Sequence, residues 1–126
     1  MRLILVLVVF VTLLMGCNKQ EHDLDDLGMS LVKAEQFMNK QDLIVATATS
    51  LNNGIVKFRI VVDERLSNDQ AKELVSEFIE AIEDGILNKQ LFKETYQLKF
   101  DIVSGQTGVI FSGQRNKGEE DIWWQF

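Results

Sequence analysis

The most regular pattern of apolar and polar positions lies in the stretch SNDQAKELVSEFIEAIEDG, residues 67–85. Its apolar side chains recur every three or four positions, which is the spacing of one face of an α-helix. Ser67 followed three residues later by Gln70 is typical of a capping box, and Gly85 is a candidate left-handed residue at the helix end. We expect one amphipathic helix whose apolar face organises the core: Ala71, Leu74, Val75, Phe78, Ile79 and Ile82.

A second helical pattern precedes this stretch and runs from about Leu24 to Asn39. Its apolar positions, again three or four residues apart, are Leu24, Leu27, Leu31, Ala34 and Met38. Gly28 weakens the pattern, because glycine disfavours a helix interior. The spacing still predicts a first amphipathic helix.

Alternating and β-branched stretches predict strands in the remaining chain. The segments DLIVATATS and IVKFRIVVDE flank the turn sequence LNNG, so residues 43–63 are predicted to form a β-hairpin. YQLKFDIV, VIFS and DIWWQF predict three further strands, the first two joined at SGQTG. The predicted fold class is therefore α+β: an antiparallel sheet of about five strands in hairpin-helix-hairpin order, with helices packed on one face.

The chain begins with an apolar segment of a different kind. Arg2 precedes an apolar run from Leu3 to Met15 that is interrupted only by Thr12, and the run is shorter than the roughly 20 residues that a membrane span requires. Leu14-Met15-Gly16-Cys17 resembles the lipobox of bacterial lipoproteins. The resemblance implies removal of residues 1–16, a thioether-linked diacylglycerol on Cys17, and a protein held by lipid on the extracytoplasmic face of the cell membrane.

Charge and size set the expectations for the part that remains. Residues 17–26 are predicted to be the lipidated cysteine and a polar tether, and residues 27–126 a single domain. The whole chain has a net charge of −6, and loss of Arg2 would make it −7. Such a surface repels polyanions, so a nucleic-acid partner is not expected. Cys17 is the only cysteine, which excludes an internal disulfide.

The residues that catalysis requires are few. His22 is the only histidine and falls in the predicted tether, and the acidic groups at 23–26 and 119–121 lack the spacing of a calcium loop. The glycines of SGQTG and SGQRNKG lack the residues that follow a phosphate-binding loop. We therefore expect no enzymatic activity, no metal and no cofactor.

Two adjacent tryptophans, Trp123 and Trp124, are the candidate partner-binding residues. Neighbouring side chains of a strand point to opposite faces, so either the sheet is covered on both sides or one indole is exposed. An exposed indole near charges such as Arg115 and Lys117 is typical of a recognition surface.

Two functional classes follow. The first is a non-enzymatic protein-interaction module on the cell surface. Within it, the short lipobox leader and single compact domain resemble the small exclusion lipoproteins of Gram-positive integrative conjugative elements. That resemblance implies contact with a membrane protein of an incoming cell's conjugation machinery, which blocks redundant transfer. The alternative is a lipoprotein that binds a small ligand or the cell wall through Trp123 or Trp124.

The lipobox predicts a specific covalent form of the protein. Mass spectrometry of the membrane fraction is expected to find an acylated Cys17 at the N-terminus, with residues 1–16 absent. Recovery of an unmodified thiol at Cys17 would contradict the prediction.

Overall fold

A computed structural model of the chain describes residues 26–63 and 65–125. The predicted signal peptide, Cys17 and all but the last residue of the predicted tether lie outside them. None of the helices in the described ranges combines the length and the apolarity that crossing a membrane demands.

Three helices and five strands make up the described chain, and they confirm the predicted α+β class. The strands form one sheet whose spatial order is their order in the sequence. The elements are α1 (Leu27–Met38), β1 (Ile44–Asn52), β2 (Ile55–Val62), α2 (Asn68–Asp84), α3 (Lys89–Thr95), β3 (Gln97–Ser104), β4 (Gly108–Arg115) and β5 (Trp123–Gln125).

The sheet is mixed and not wholly antiparallel, which corrects one part of the prediction. β1–β2, β3–β4 and β4–β5 pair antiparallel, but β2 and β3 pair parallel, with Ile55 opposite Gln97. The segment between β2 and β3 contains both α2 and α3, and it returns the chain to the end of the sheet at which β2 begins. There the Gln97 N–H donates to the Gly54 carbonyl at 3.0 Å.

The first hairpin turns where the sequence predicts. Asn53 and Gly54 have φ angles of 50° and 76°. Positive φ at both central residues defines the tight turn that matches the twist of two antiparallel strands, and asparagine and glycine tolerate it best. The turn is therefore encoded locally by LNNG.

The core lies between the helices and one face of the sheet. All six apolar side chains predicted for the α2 stripe are buried. The ring of Phe58 on β2 stacks on Phe78 of α2 with centroids 4.5 Å apart, and on Phe100 of β3 at 5.3 Å. The capping box at the start of α2 is also confirmed, because the Gln70 N–H donates to Ser67 Oγ and the Ser67 N–H donates to Gln70 Oε1.

Gly85 ends α2, but not in the predicted left-handed conformation. Its φ is −86°, which any residue can adopt. A Cβ built at Gly85 would lie 2.5 Å from the Oγ and 2.8 Å from the Cβ of Ser30 on α1. The Ser30 hydroxyl donates to the Ile82 carbonyl at the same crossing. Glycine is required here because α1 and α2 approach closely.

Helix α3 is absent from the sequence prediction. Asn88 caps it by accepting from the Leu91 N–H at 3.0 Å, and Phe92 is its one buried side chain. Tyr96, predicted as the first residue of a strand, instead ends α3 and packs its ring against Phe92 with centroids 5.6 Å apart. A seven-residue helix with one buried residue has too little periodicity to be recognised from sequence.

The contrast between two glycines gives a test of the α1–α2 crossing. Gly85→Ala is expected to lower the free energy of unfolding by about 1–3 kcal/mol, because the added methyl overpacks the crossing. Gly28→Ala in α1, where an added Cβ meets nothing within 4 Å, is expected to raise it by about 0.5 kcal/mol. Urea unfolding of both variants measures the difference. Equal effects at the two positions would contradict the close approach.

Candidate functional site

The face of the sheet turned away from the helices is the candidate site, and we call it the open face. On β2, Val56, Phe58, Ile60 and Val62 are buried, while Lys57 and Arg59 between them are exposed. The strand registers align the open-face residues into two rows that cross all five strands. The rows are Ser50–Lys57–Lys99–Gln114–Trp123 and Ala48–Arg59–Asp101–Ser112–Gln125.

The two rows carry a net charge opposite in sign to that of the chain. Arg59 forms a two-pronged ion pair with Asp101, in which Nε to Oδ1 and Nη2 to Oδ2 are both 2.8 Å. Hydrogen bonding to Asp101, and then its charge, raises the pKa of the Arg59 guanidinium. Lys57 and Lys99 face each other across β2 and β3, and neither forms an ion pair with the described residues. The two rows therefore hold three cations and one carboxylate, in a chain whose net charge is −6.

The two tryptophans lie on opposite faces, so the structure separates the two candidate binding residues. Trp124 lies opposite Gly113 on the helix-covered face, and its ring meets the Phe100 ring edge-on with centroids 5.0 Å apart. Trp123 lies on the open face and is 59% exposed. Of the two, Trp123 is therefore the side chain that a partner can reach.

Gly113 makes this arrangement of β5 sterically feasible. A Cβ at Gly113 would lie 2.5 Å from Phe100 Cζ and 2.6 Å from the Trp123 carbonyl oxygen. Any larger residue would push the Phe100 ring or β5 away. The glycine thus lets the last strand, and Trp123 with it, lie against β4.

The loop between β4 and β5 orients the indole of Trp123. Its Nε1–H donates to Glu119 Oε2 at 3.0 Å, and the same oxygen accepts from Asn116 Nδ2 at 3.4 Å. Asn116 Oδ1 in turn accepts from the side-chain amides of Gln97 and Gln114, at 3.0 and 2.9 Å. The indole is therefore held by a network that reaches β3 and β4.

A second set of contacts fastens the same loop to α3. The Gly118 N–H donates to the Lys93 carbonyl at 2.9 Å, and Lys93 Nζ lies 2.9 Å from Glu120 Oε1. The hydrogen bond from Lys93, and then its charge, lowers the pKa of the Glu120 carboxyl. Sequence reasoning missed the roles of Glu119 and Glu120, because it considered these residues only as calcium ligands.

Arg115 is not part of this surface, although the sequence suggests it as a charge beside an exposed aromatic. It lies opposite Leu98 on the helix-covered face, and its side chain is only 7% exposed. Its Nη1 is 2.9 Å from Glu83 Oε1 on α2, whereas its Nε and Nη2 have no hydrogen-bond partner. Strand alternation puts Arg115 inside, and Lys99 takes its place as a cation near Trp123.

A separate groove lies between α1 and α2. Its walls include the half-exposed Phe37, the Lys33 side chain and three carboxylates, those of Glu77, Glu80 and Asp84. Gln41 spans one end of the groove, where its Nε2 donates to Glu77 Oε2 at 2.7 Å. Phe37 is therefore about as exposed as Trp123, but most of the charged groups around Phe37 are carboxylates, whereas the rows beside Trp123 are mainly cationic.

Within residues 26–63 and 65–125, no three histidine, cysteine, aspartate or glutamate side chains lie close enough to hold a metal ion. No protein-family model matches the chain, and no curated protein matches it at a significant level.

The two arginine ion pairs differ in burial and predict different costs. Glu83→Ala is expected to lower the free energy of unfolding by about 3 kcal/mol, because it leaves the buried Arg115 guanidinium uncompensated. Asp101→Ala is expected to cost under about 1 kcal/mol, since Arg59 is 54% exposed and water takes the place of the lost carboxylate. Urea unfolding compares the two. A loss at Glu83 as small as that at Asp101 would show that Arg115 finds other partners.

Proposed function

We propose that the chain is a lipoprotein anchored through Cys17 on the extracytoplasmic face of a bacterial membrane, where its domain binds another protein without catalysing a reaction. The lipobox-like Leu14-Met15-Gly16-Cys17 supports the anchor. The open face supports the binding role. The protein partner contacts Trp123 and the lysines that lie in the same row.

The observation that carries the proposal is that Trp123 is both exposed to solvent and held in one orientation. The residue is 59% exposed, yet its indole N–H is already bonded to Glu119 and its backbone is part of the sheet. A partner that covers this ring removes a large apolar area from water and has little side-chain entropy to overcome. Ordered, exposed tryptophans are typical centres of protein interfaces.

The charges of the open face indicate the chemistry of the partner. Lys57 and Lys99 have no carboxylate partner among the described residues, so acidic groups on a second protein can pair with them. Such complementary charges speed association and select among partners. We expect an acidic patch on the partner, opposite the row that holds Lys57, Lys99 and Trp123.

The specific role proposed is exclusion of redundant conjugative transfer. The protein, displayed on a cell that already carries a conjugative element, engages a membrane protein of the incoming cell's conjugation machinery. The support is the resemblance in architecture to small exclusion lipoproteins: a short lipobox leader followed by one compact domain.

The alternative is recognition of a small ligand or a wall fragment by the same surface. A depression beside Trp123 is lined by polar side chains that include Gln114, Asn116 and Gln125, a composition that suits sugars. However, the side-chain amides of Gln114 and Asn116 already bond to each other. That use of their hydrogen-bonding capacity favours the protein partner.

Removal of the exposed indole tests the proposed surface. Trp123→Ala is expected to weaken partner binding by at least about 2 kcal/mol, or roughly thirtyfold in affinity, and so to restore conjugative transfer into cells that display the variant. Transfer frequency and the amount of folded protein at the membrane are measured together. The matched control is Phe37→Ala, which removes an aromatic of similar exposure (53%) from the helix groove.

The outcomes separate the alternatives. Loss of exclusion with Trp123→Ala but not with Phe37→Ala supports the open face, whereas the reverse result would assign binding to the groove. Cys17→Ala is expected to abolish exclusion by releasing the protein from the membrane. The ligand-binding alternative would be favoured if the wild-type protein binds wall fragments and Trp123→Ala abolishes that binding but leaves exclusion unchanged.

A further inference from the structure

Strand β1 forms one edge of the sheet, and half of its backbone groups have no strand to pair with. Within the described residues it pairs only with β2. Asn52 and Ile55 close the two-residue turn and therefore form a hydrogen-bonded pair. Hydrogen-bonded pairs recur at every second residue, so Ser50 and Ala48 also bond to β2. The residues that alternate with them direct their N–H and C=O groups away from β2, toward the free edge: Thr47, Thr49 and Leu51.

Most of this edge lacks the usual devices that prevent pairing with another chain. Such edges are normally short, or carry lysine, proline or a bulge. β1 runs for nine residues, IVATATSLN, with neither a charge nor a proline. Its one irregularity lies between Ile44 and Ala46, which leaves residues 46–52 in regular register. The strand is open to an added strand along most of its length.

We propose that β1 pairs with β1 of a second copy of this chain, antiparallel and about a two-fold axis at Ala48. The pattern of β1 is self-complementary about that residue. Thr47 lies opposite Thr49 of the second copy and exchanges backbone hydrogen bonds with it, and threonine pairs across strands are favourable. Ala46 meets Ser50 of the second copy.

The chemistry of these pairs favours a second copy over a foreign segment. The small side chains of Ala46, Ala48 and Ser50 pair without steric conflict. Because β1 carries no charge, self-pairing places no like charges opposite each other, despite the net charge of −6 on each chain.

The surroundings of β1 extend the same surface. Asn39 Oδ1 accepts from Thr47 Oγ1 at 2.9 Å, and Val32 lies two helical turns earlier on the same side of α1. Nine large apolar side chains of the described residues are exposed, and five of them lie on α1, on β1 or between them without lining the groove to α2: Met29, Val32, Leu43, Val45 and Leu51. In the paired form, the two α1 helices lie on the same face of one ten-stranded sheet, on either side of the axis.

Pairing also joins the open faces of the two copies. The row that contains Ala48, Arg59 and Asp101 continues from one copy into the next. The dimer does not depend on the proposed function, but it would present two Trp123 side chains on one continuous sheet.

Cysteine substitution in the full-length protein, expressed in cells, tests the pairing. Across the axis the two Ala48 residues form a non-hydrogen-bonded pair with Cα atoms about 4.5 Å apart, a distance that a disulfide can span. Ala48→Cys is expected to form a dimer of twice the monomer mass on non-reducing electrophoresis. Ser50→Cys is the matched control, since its own copy lies four residues further along the strand, about 13 Å away.

The register gives a second, independent readout. The double variant Ala46→Cys/Ser50→Cys is expected to cross-link, because these residues oppose each other between copies, while each single variant stays monomeric. The wild-type chain is the control for cross-linking through Cys17. If the wild-type chain forms a disulfide-linked dimer, the series is repeated in a Cys17→Ser background. A dimer linked through Cys17 would contradict only the proposed lipidation. Equal cross-linking at all positions, none at Ala48→Cys, or capture of a different protein there would overturn the proposal.

Discussion

The contact on which the other elements depend is the packing of Phe58 between Phe78 and Phe100. It joins α2 to the two parallel strands at the centre of the sheet, and the described chain has no covalent cross-link to replace it. The Phe100 ring also contacts the Trp124 ring, so a continuous series of ring contacts runs from α2 to the last strand. The exposure of Trp123 follows, because a strand that buries one of two adjacent indoles must direct the other to the opposite face.

The elements that the sequence predicts well are those encoded by neighbouring residues. The α2 stripe, its capping box and the Asn53–Gly54 turn each depend on contacts within a few positions. What the sequence could not provide depends on distant partners. The parallel pairing of β2 and β3, the buried ion pair of Arg115 with Glu83 and the packing reason for Gly85 all join residues more than thirty positions apart. The sequence also could not show which tryptophan is exposed, because that depends on the register of β5 against β4.

Helix and strand periodicities place mainly acidic side chains on the outward side of α2 and mainly basic side chains in the two rows of the open face. The outward side of α2 supplies Glu73, Glu77 and Glu80, whereas the outward positions of β2 and β3 supply Lys57, Arg59 and Lys99. The net charge of −6 is therefore unevenly distributed over the domain. At a membrane, such a molecule presents different electrostatic surfaces according to how it is oriented, and an anchor limits the orientations that it samples.

The parallel β2–β3 pair also bears on how fast the domain folds. Arg59 and Asp101, opposite each other in this pair, are 42 residues apart in sequence, whereas both hairpins close locally. Closing so long a loop costs chain entropy before any contact offsets it, and domains rich in distant contacts fold slowly. The two hairpins are thus expected to form early and to pair with each other only later, when α2 packs against both. If the chain crosses a membrane unfolded, this interval falls on the far side, where unpaired strands meet whatever chaperones that compartment holds.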